Sequence, residues 1–311
     1  MPIVTPRVLI ARQLDTLTAR LPGVLDGDVD AVHEARVATR RLREVLPLMD
    51  GHERTTLALL RSAGRHLGRV RELDVMRGLL DALIDRAPAG AGAAARAKHA
   101  LRDSQQAARR AMVKALEELD LDALRPRAAA SGPFAWAGRS LHAIRPPKWP
   151  RPLRERIASR AEAAAEAVER ATGVYMPRRA HGARIAIKKL RYAVEVASET
   201  GLVHVKRAGK DLRRVQDALG KVHDAQVLHD RIEALAGDGA SAIELAVLKS
   251  VLADDIARAH ADYVRRRERL LTLVDRCRAA CAAHRAHWPV RPVIAASAVA
   301  VPLLLLRRRA G

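Results

Sequence analysis

Between breaks rich in Pro and Gly, apolar residues of this chain recur at intervals of three and four, the period of a helix buried along one side. After Asp28, the residues Ala35, Ala38, Leu42, Val45 and Leu46 share one arc; Ala183, Ala186, Leu190, Ala193 and Val194 repeat that arc further on. Val and Ile do not gather in alternating runs, and Ala, Leu and Arg dominate, so the chain reads as all-α. The pattern predicts helices over roughly 4–20, 28–50, 53–86 and 90–120, and again over roughly 153–172, 177–200, 203–236 and 240–286. Asp28 or Asp30 can cap the second helix, and Pro47 should kink or end it. Between the two sets, residues 125–152 hold Pro126, Pro133, Pro146, Pro147, Pro150 and Pro152 with Gly132 and Gly138, which cannot continue a helix. The expected organisation is a first four-helix unit (1–124), a Pro-rich linker (125–152), a second four-helix unit (153–287) and an apolar tail with a basic end (288–311).

The polar face of the second helix also repeats. VHEARVATRRLR from Val32 matches AHGARIAIKKLR from Ala180, an offset of 148 with every basic position kept basic. A helix turns about 100° per residue, which puts His33, Arg36, Arg40 and Arg43 on one stripe, and His181, Arg184, Lys188 and Arg191 on its counterpart. Arg41 and Lys189 point about 80° away from their histidines. Like charges three and four residues apart repel by a few tenths of a kcal/mol, roughly, so these stripes are not there for helix stability. A second element repeats at an offset of 152, LGRVRELDV from Leu67 against LGKVHDAQV from Leu219. Further basic stripes accompany it, Arg54, Arg61, Arg65 and Arg69 in one copy, and Lys206, Lys210, Arg213 and Lys221 in the other. Two doubled motifs in the same order are the mark of an internal duplication.

The pairing of an H-x-x-R-x-x-x-[RK]-[RK]-L-R helix with a later helix ending L-G-x-x-[RH]-[DE] resembles the CHAD domain, the conserved-histidine α-helical domain. The resemblance covers nearly the whole chain up to the last long helix. It implies two pseudo-symmetric four-helix bundles facing each other across a basic groove or pore. It also implies binding of inorganic polyphosphate and association with polyphosphate granules or phosphate metabolism. The implied ligand-binding set is His33, Arg36, Arg40, Arg41, Arg43, Arg61, Arg65 and Arg69 from the first half. From the second half come His181, Arg184, Lys188, Lys189, Arg191, Lys206, Lys210, Arg213 and Lys221.

Composition narrows the partner independently. A net charge of +21 and a pI near 11.2 call for a polyanion: a phosphate polymer, nucleic acid or an anionic membrane surface. Arg grips phosphate oxygens with a planar fork while Lys adds a point charge. Single-stranded nucleic acids usually stack their bases on aromatic rings, and this chain has only three Trp, three Tyr and one Phe, none of them in a basic stripe. A nonspecific duplex binder needs no rings, so nucleic acid stays open as the alternative. The histidines either contact phosphate or serve structure; below about pH 6.5 an imidazole adds charge, so binding should tighten on acidification. No cofactor is expected. The default compartment is the cytoplasm, because Arg7 and Arg12 interrupt any apolar leader.

Catalytic signals are thin. His33-Glu34 begins like a zinc HExxH helix, but Val37 stands where the second ligand belongs. Glu72, Asp74 and Asp224 suit Mg²⁺ near a phosphate, yet the partner of Asp74 in the other copy is Gln226. A binding module without catalysis is therefore expected, with a polyphosphate or phosphate-ester hydrolase as the least favoured reading. Cys277, Cys281, His284 and His287 share one side of the last helix, where buried small cysteines are expected rather than a metal site. The stretch Val293–Leu306 carries no charge; as a helix it would span about 21 Å, short of a hydrocarbon core of roughly 30 Å. Docking on a bundle, a protein partner and a marginal membrane contact all remain open for it.

Overall fold

The computed structural model describes residues 4–49, 54–122, 124, 148–203, 205, 207–237 and 239–283. The described residues form eight α-helices: α1 (Pro6–Asp26), α2 (Val29–Val45), α3 (Arg54–Arg86), α4 (Ala91–Glu117), α5 (Pro150–Arg170), α6 (Pro177–Glu199), α7 (Ala208–Ala236) and α8 (Ala242–Ala283). Among the described residues there is no strand, as the periodicity predicts. Short 3₁₀ turns follow α2 at Leu46–Leu48 and precede α4 at Pro88–Gly90.

The ends of the second helix follow from its sequence. The Asp28 carboxylate accepts from the Asp30 and Ala31 amides at 2.8 and 3.3 Å, filling two of the donors that a helix start leaves open. Pro47 stops the α-helix at Val45 and tightens the next turn to 3₁₀. The first helix runs past its expected end near residue 20, through Pro22 to Asp26. Its last turn is held by buried Val24 and closed by Gly27 in the left-handed region (φ 81°), with the Asp28 amide bonded to the Gly23 carbonyl at 2.8 Å. At Gly23 a Cβ would stand 2.9 Å from that of Ala31, so the α1–α2 hairpin closes tightly there only on a glycine. Further along, α5 starts at Pro150, inside the segment expected to be linker. Proline costs nothing at the first position of a helix, where the missing N–H has no partner to lose, and Trp149 is buried at that start.

Within α1–α4 and within α5–α8 each helix packs on the next in the chain, and α5 also lies along α8 and α4 along α7. The hydrophobic interior does not divide at the boundary between the repeats. One core takes α1, α2, α5 and α6 together with the near parts of α3, α7 and α8, through residues such as Leu14, Leu42, Leu67, Ile187, Leu190, Leu219 and Tyr263. A second core joins the far parts of α3, α4, α7 and α8 through Leu80, Ala97, Leu228 and Leu252. Each repeat therefore contributes to both cores, and the two motif helices, α2 and α6, are packed against one another within the first. Arginines of α5 fasten this contact: Arg156 donates to the Glu44 carbonyl at 2.6 Å, and Arg160 to the Lys189 carbonyl at 3.0 Å and to the Glu44 carboxylate. Tyr263 of α8 donates to the Ala171 carbonyl at 3.0 Å, closing the C-terminal end of α5.

Candidate functional site

Packing α2 on α6 turns two separate stripes into one cluster of cations. Their apolar faces sink into the core, with Ala35, Ala38 and Leu42 on one helix and Ala183, Ile187 and Leu190 on the other buried almost completely. The basic faces are thereby forced towards each other. Arg36, Arg40 and His33 of α2 meet Arg184, Lys188 and His181 of α6, while α3 supplies Arg71 with Glu72 and α7 supplies His223 with Asp224.

The electrostatics report how strongly these charges act on one another. Burial, with Arg40, Arg184, Arg36 and Lys189 nearby, pushes the Lys188 ammonium down to about 7. Burial, then Arg40, lowers even the Arg36 guanidinium to about 10, with Arg184 and Arg71 acting in the same sense and Tyr192 against it. Arg184 is lowered by burial and by Arg40, although Asp224 and Glu72 oppose this. The histidines follow. His33 is lowered by burial, Arg71, Arg36 and Arg40; His181 by burial, Arg184 and Lys188; and His223 falls to about 4 through burial, Arg184, His181 and Lys188. His181 and His223 face each other with their Nδ1 atoms 3.4 Å apart, so only one of those nitrogens carries a proton in the contact.

Two carboxylates sit in this cluster, and neither neutralises it. Burial raises the pKa of Asp224, against the pull of Arg184, Arg36 and Arg71. Glu72 is engaged by Arg69 at 2.9 Å and Arg231 at 3.6 Å. The Nε atoms of Arg36 and Arg184, equivalent positions of the repeat, are both buried without a hydrogen-bond partner. The Nε atoms of Arg41, Arg96, Arg109 and Arg154 are buried in the same way, so what sets the cluster apart is the number of cations it gathers. Arg40 spends one donor on the Tyr192 hydroxyl, at 3.3 Å.

The rest of the expected set divides. Arg43, Arg61 and Arg65 continue the positive track along α2 and α3: Arg43 is lowered by burial and then by Arg61, with Arg40 and Arg65 adding to this. On the other side the track ends, because Glu195 gathers Arg41 (3.6 Å), Arg213 (3.5 Å) and Arg191, which is 7% exposed and also donates to Gln216 at 2.9 Å. Arg41 pairs with Glu199 as well, at 3.3 Å. In the first copy the position of Glu195 is taken by Pro47, so this neutralisation has no counterpart there. Arg69 turns to Glu72, while Lys189, Lys210 and Lys221 are exposed. Lys206, His284, His287 and the segment 293–306 lie outside the described residues.

Arg71, His223 and Asp224 belong to the cluster although the stripes alone did not select them. Their signal was the R-E and H-D pair closing the repeated L-G-x-x-[RH]-[DE] element. Of the candidate Mg²⁺ carboxylates, Glu72 and Asp224 both sit in the cluster, close enough for Glu72 to help raise the pKa of Asp224, while Asp74 lies apart. Asp74 is buried beside Gln105, which donates to it at 3.2 Å, and Glu72 is paired with arginines. Among the described residues no group of three or more His, Cys, Asp or Glu side chains is placed to hold a metal. Cys277 and Cys281 are buried thiols, with burial pushing Cys277 up to about 12. No helix of the described residues is long and apolar enough to cross a membrane.

The CHAD domain family matches residues 8–233, which span the repeated motif helices and every member of the cluster. The chain belongs to the CHAD domain family. Solved structures agree on the fold of this CHAD chain. The crystal structure of the CHAD domain from the plant Ricinus communis is 20% identical, with a TM-score of 0.53 over 90% of this chain and 91% of that one. PptA from Streptomyces chartreusis is 16% identical, with a TM-score of 0.54 over 87% of this chain and 98% of that one. No curated protein matches the chain in sequence.

Proposed function

We propose that this CHAD chain binds inorganic polyphosphate, laying successive phosphates on Arg184, Lys188, Arg36 and Arg40 and onward to Arg43, Arg61 and Arg65. The observation that carries the reading is the assembly of these cations with too little carboxylate to balance them. Such a cluster is costly when empty, and a chain of closely spaced phosphates relieves it at several points at once. The aromatic residues favour polyphosphate over single-stranded nucleic acid. Tyr192, Tyr263 and Trp149 are buried, and the half-buried Tyr175 packs its ring on His260 and bonds its hydroxyl to Gln226. The chain acts as a binding module with no catalysis of its own, and association with polyphosphate granules follows from the ligand.

A salt titration of affinity for long-chain polyphosphate beside duplex DNA tests this. The expected result is polyphosphate binding that resists salt better than DNA binding and collapses in Arg40→Glu/Lys188→Glu. Parallel salt slopes and an unaffected variant would place nonspecific nucleic-acid binding ahead. Orthophosphate released from polyphosphate in Mg²⁺, and lost on changing Glu72 and Asp224, would establish a hydrolase instead.

A further inference from the structure

We propose that the cavity between α7, α8 and the turn before α6 is a binding site for a small planar aromatic carboxylate, its ring on α8 beside Tyr175 and its carboxylate on Arg265. The site shares no residue with the cationic cluster and does not rest on polyphosphate binding.

The cavity has a volume of about 630 Å³, inside the range of roughly 300–1,000 Å³ usual for small-molecule sites, and its lining is chiefly apolar. Ala253, Ala257 and Ala261 follow one another every four residues along α8, so they share a face and leave it low and exposed. Ile256 and His260, both buried, form the deeper part. The half-buried Tyr175 ring stands edge-to-face on His260 with centroids 5.1 Å apart, and its hydroxyl is fixed by donating to Gln226 at 2.8 Å. A row of methyl groups beside two rings held at an angle makes a slot for a flat ring, which gains from edge-on or offset contact with them. Val174 and Met176, on either side of Tyr175 in the chain, are 72% and 42% exposed, so the apolar surface continues past the cavity. The charge on the lining is one-sided. Arg265 is its sole Lys or Arg, and among the described residues no Asp or Glu lines it. Arg265 spends one nitrogen on Asp262, at 3.2 Å, and its side chain is 69% exposed, which leaves the rest of the guanidinium fork to take a carboxylate.

The corresponding corner of the first four helices is shut. The offset of 148 that relates the motif helices sets Gly27 against Tyr175. There Arg109 of α4 fills the space, donating to the Gly27 carbonyl at 3.3 Å and lying so close that a Cβ on Gly27 would stand 2.5 Å from its guanidinium. A turn that packs without any side chain in one half carries an aromatic ring and an open cavity in the other. The cavity is therefore no by-product of the shared helix arrangement; it is made by Tyr175, His260 and the alanines of α8.

Titrating the full-length protein with 2-naphthoate by ligand-observed NMR, with 2-naphthamide as its uncharged twin, tests the proposal. Saturable binding of the acid is expected, about threefold to tenfold tighter than that of the amide. Excess orthophosphate should leave the naphthoate bound, because the cations it would occupy lie elsewhere. Ala257→Trp, a change at an exposed position of α8 that fills the slot, should abolish binding of both compounds with the helicity by circular dichroism unchanged. Arg265→Gln should bring the acid down to the affinity of the amide. No saturable binding, acid and amide bound alike, displacement by orthophosphate, or full binding to Ala257→Trp would overturn it; the first three readings use the unaltered protein and do not depend on any variant folding. A chain that fails to bind polyphosphate in the salt titration yet binds naphthoate in this way loses only the polymer reading; the reverse result loses only this one.

Discussion

On the proposed function, Lys188 should make the affinity for polyphosphate depend on pH in a range above that of the cluster's histidines. In the empty protein its ammonium is held near 7 by burial and by Arg40, Arg184, Arg36 and Lys189. Phosphate oxygens around it oppose all four cations and return it towards the ordinary value of 10.5. The bound pKa then lies above the free one. The contribution of Lys188 to affinity is fully present below the free pKa and is lost as pH rises towards the bound pKa. The limit is tenfold per pH unit; for a side chain that water still reaches, about threefold to tenfold per unit between roughly pH 7 and 9 is the working figure at low salt. Binding should also take up close to one proton near pH 8, read by calorimetry in two buffers of different ionisation enthalpy. His33, His181 and His223 are all lowered and stay neutral there, so they do not contribute. Acidification therefore tightens binding through a lysine first, and through imidazoles only further down. Lys188→Arg separates charge from titration, because a guanidinium stays protonated throughout. The variant should retain affinity and lose the slope and the proton uptake. An unchanged slope in Lys188→Arg would refute the argument.

The same shift has a stability consequence. Between about pH 7 and 10.5 the unfolded chain holds a proton on Lys188 that the empty folded chain has lost, so stability without ligand should rise with pH in that window, and Lys188→Met should raise Tm near neutral pH and flatten the rise. Glu195→Gln should release Arg213, with Arg41 still held by Glu199, and so lengthen the positive track, raising polyphosphate affinity at low salt with a steeper salt dependence, as fluorescence titration would show. Arg40→Glu/Lys188→Glu should weaken binding far more than Arg265→Glu/Arg266→Glu, which changes net charge equally but lies on α8 at an exposed pair of arginines bonded to Asp262; equal losses would mean that total charge alone matters. Asp28→Ala should cost about 1 kcal/mol by removing the cap of α2, measured by denaturant unfolding.

The helical character, the eight segments and the Asp28 cap were legible because each rests on local signals: apolar spacing, a capping side chain, a proline after the last turn. The duplicated His/Arg stripes were legible as a pattern, and α2 and α6 bring their leading residues together. What the pattern could not contain is which of those cations find partners far away in sequence. Arg41, Arg191 and Arg213 repeat as basic positions like Arg36 and Arg184, yet Glu195, joined by Glu199 at Arg41, draws all three out of the track. That carboxylate has no equivalent in the first copy, and its reach depends on how α2, α6 and α7 pack. The core was opaque for the same reason. Matching apolar faces say that a helix is buried on one side; they do not say that α3, α7 and α8 each bury one part in one core and the other part in a second.

That shared interior explains how a costly cluster is tolerated. If each repeat buried its apolar faces only against itself, the repulsion between α2 and α6 would push two independent bodies apart, and the stripes would separate whenever no ligand was present. Here Ala35, Leu42, Ala183, Ile187 and Leu190 are buried in one core beneath the cations, and Arg156 and Arg160 tie α5 to both motif helices by backbone carbonyls. Separating the stripes would expose that core, at about 1.5–3 kcal/mol for each large aliphatic side chain returned to water, against a repulsion that burial has already softened by letting Lys188 shed its proton. The hydrophobic contact holds the charges at close quarters, and the depressed lysine limits how much that costs. On the proposed function, a polyanion arriving at the site would meet cations already held in position, its binding accompanied by return of the proton to Lys188.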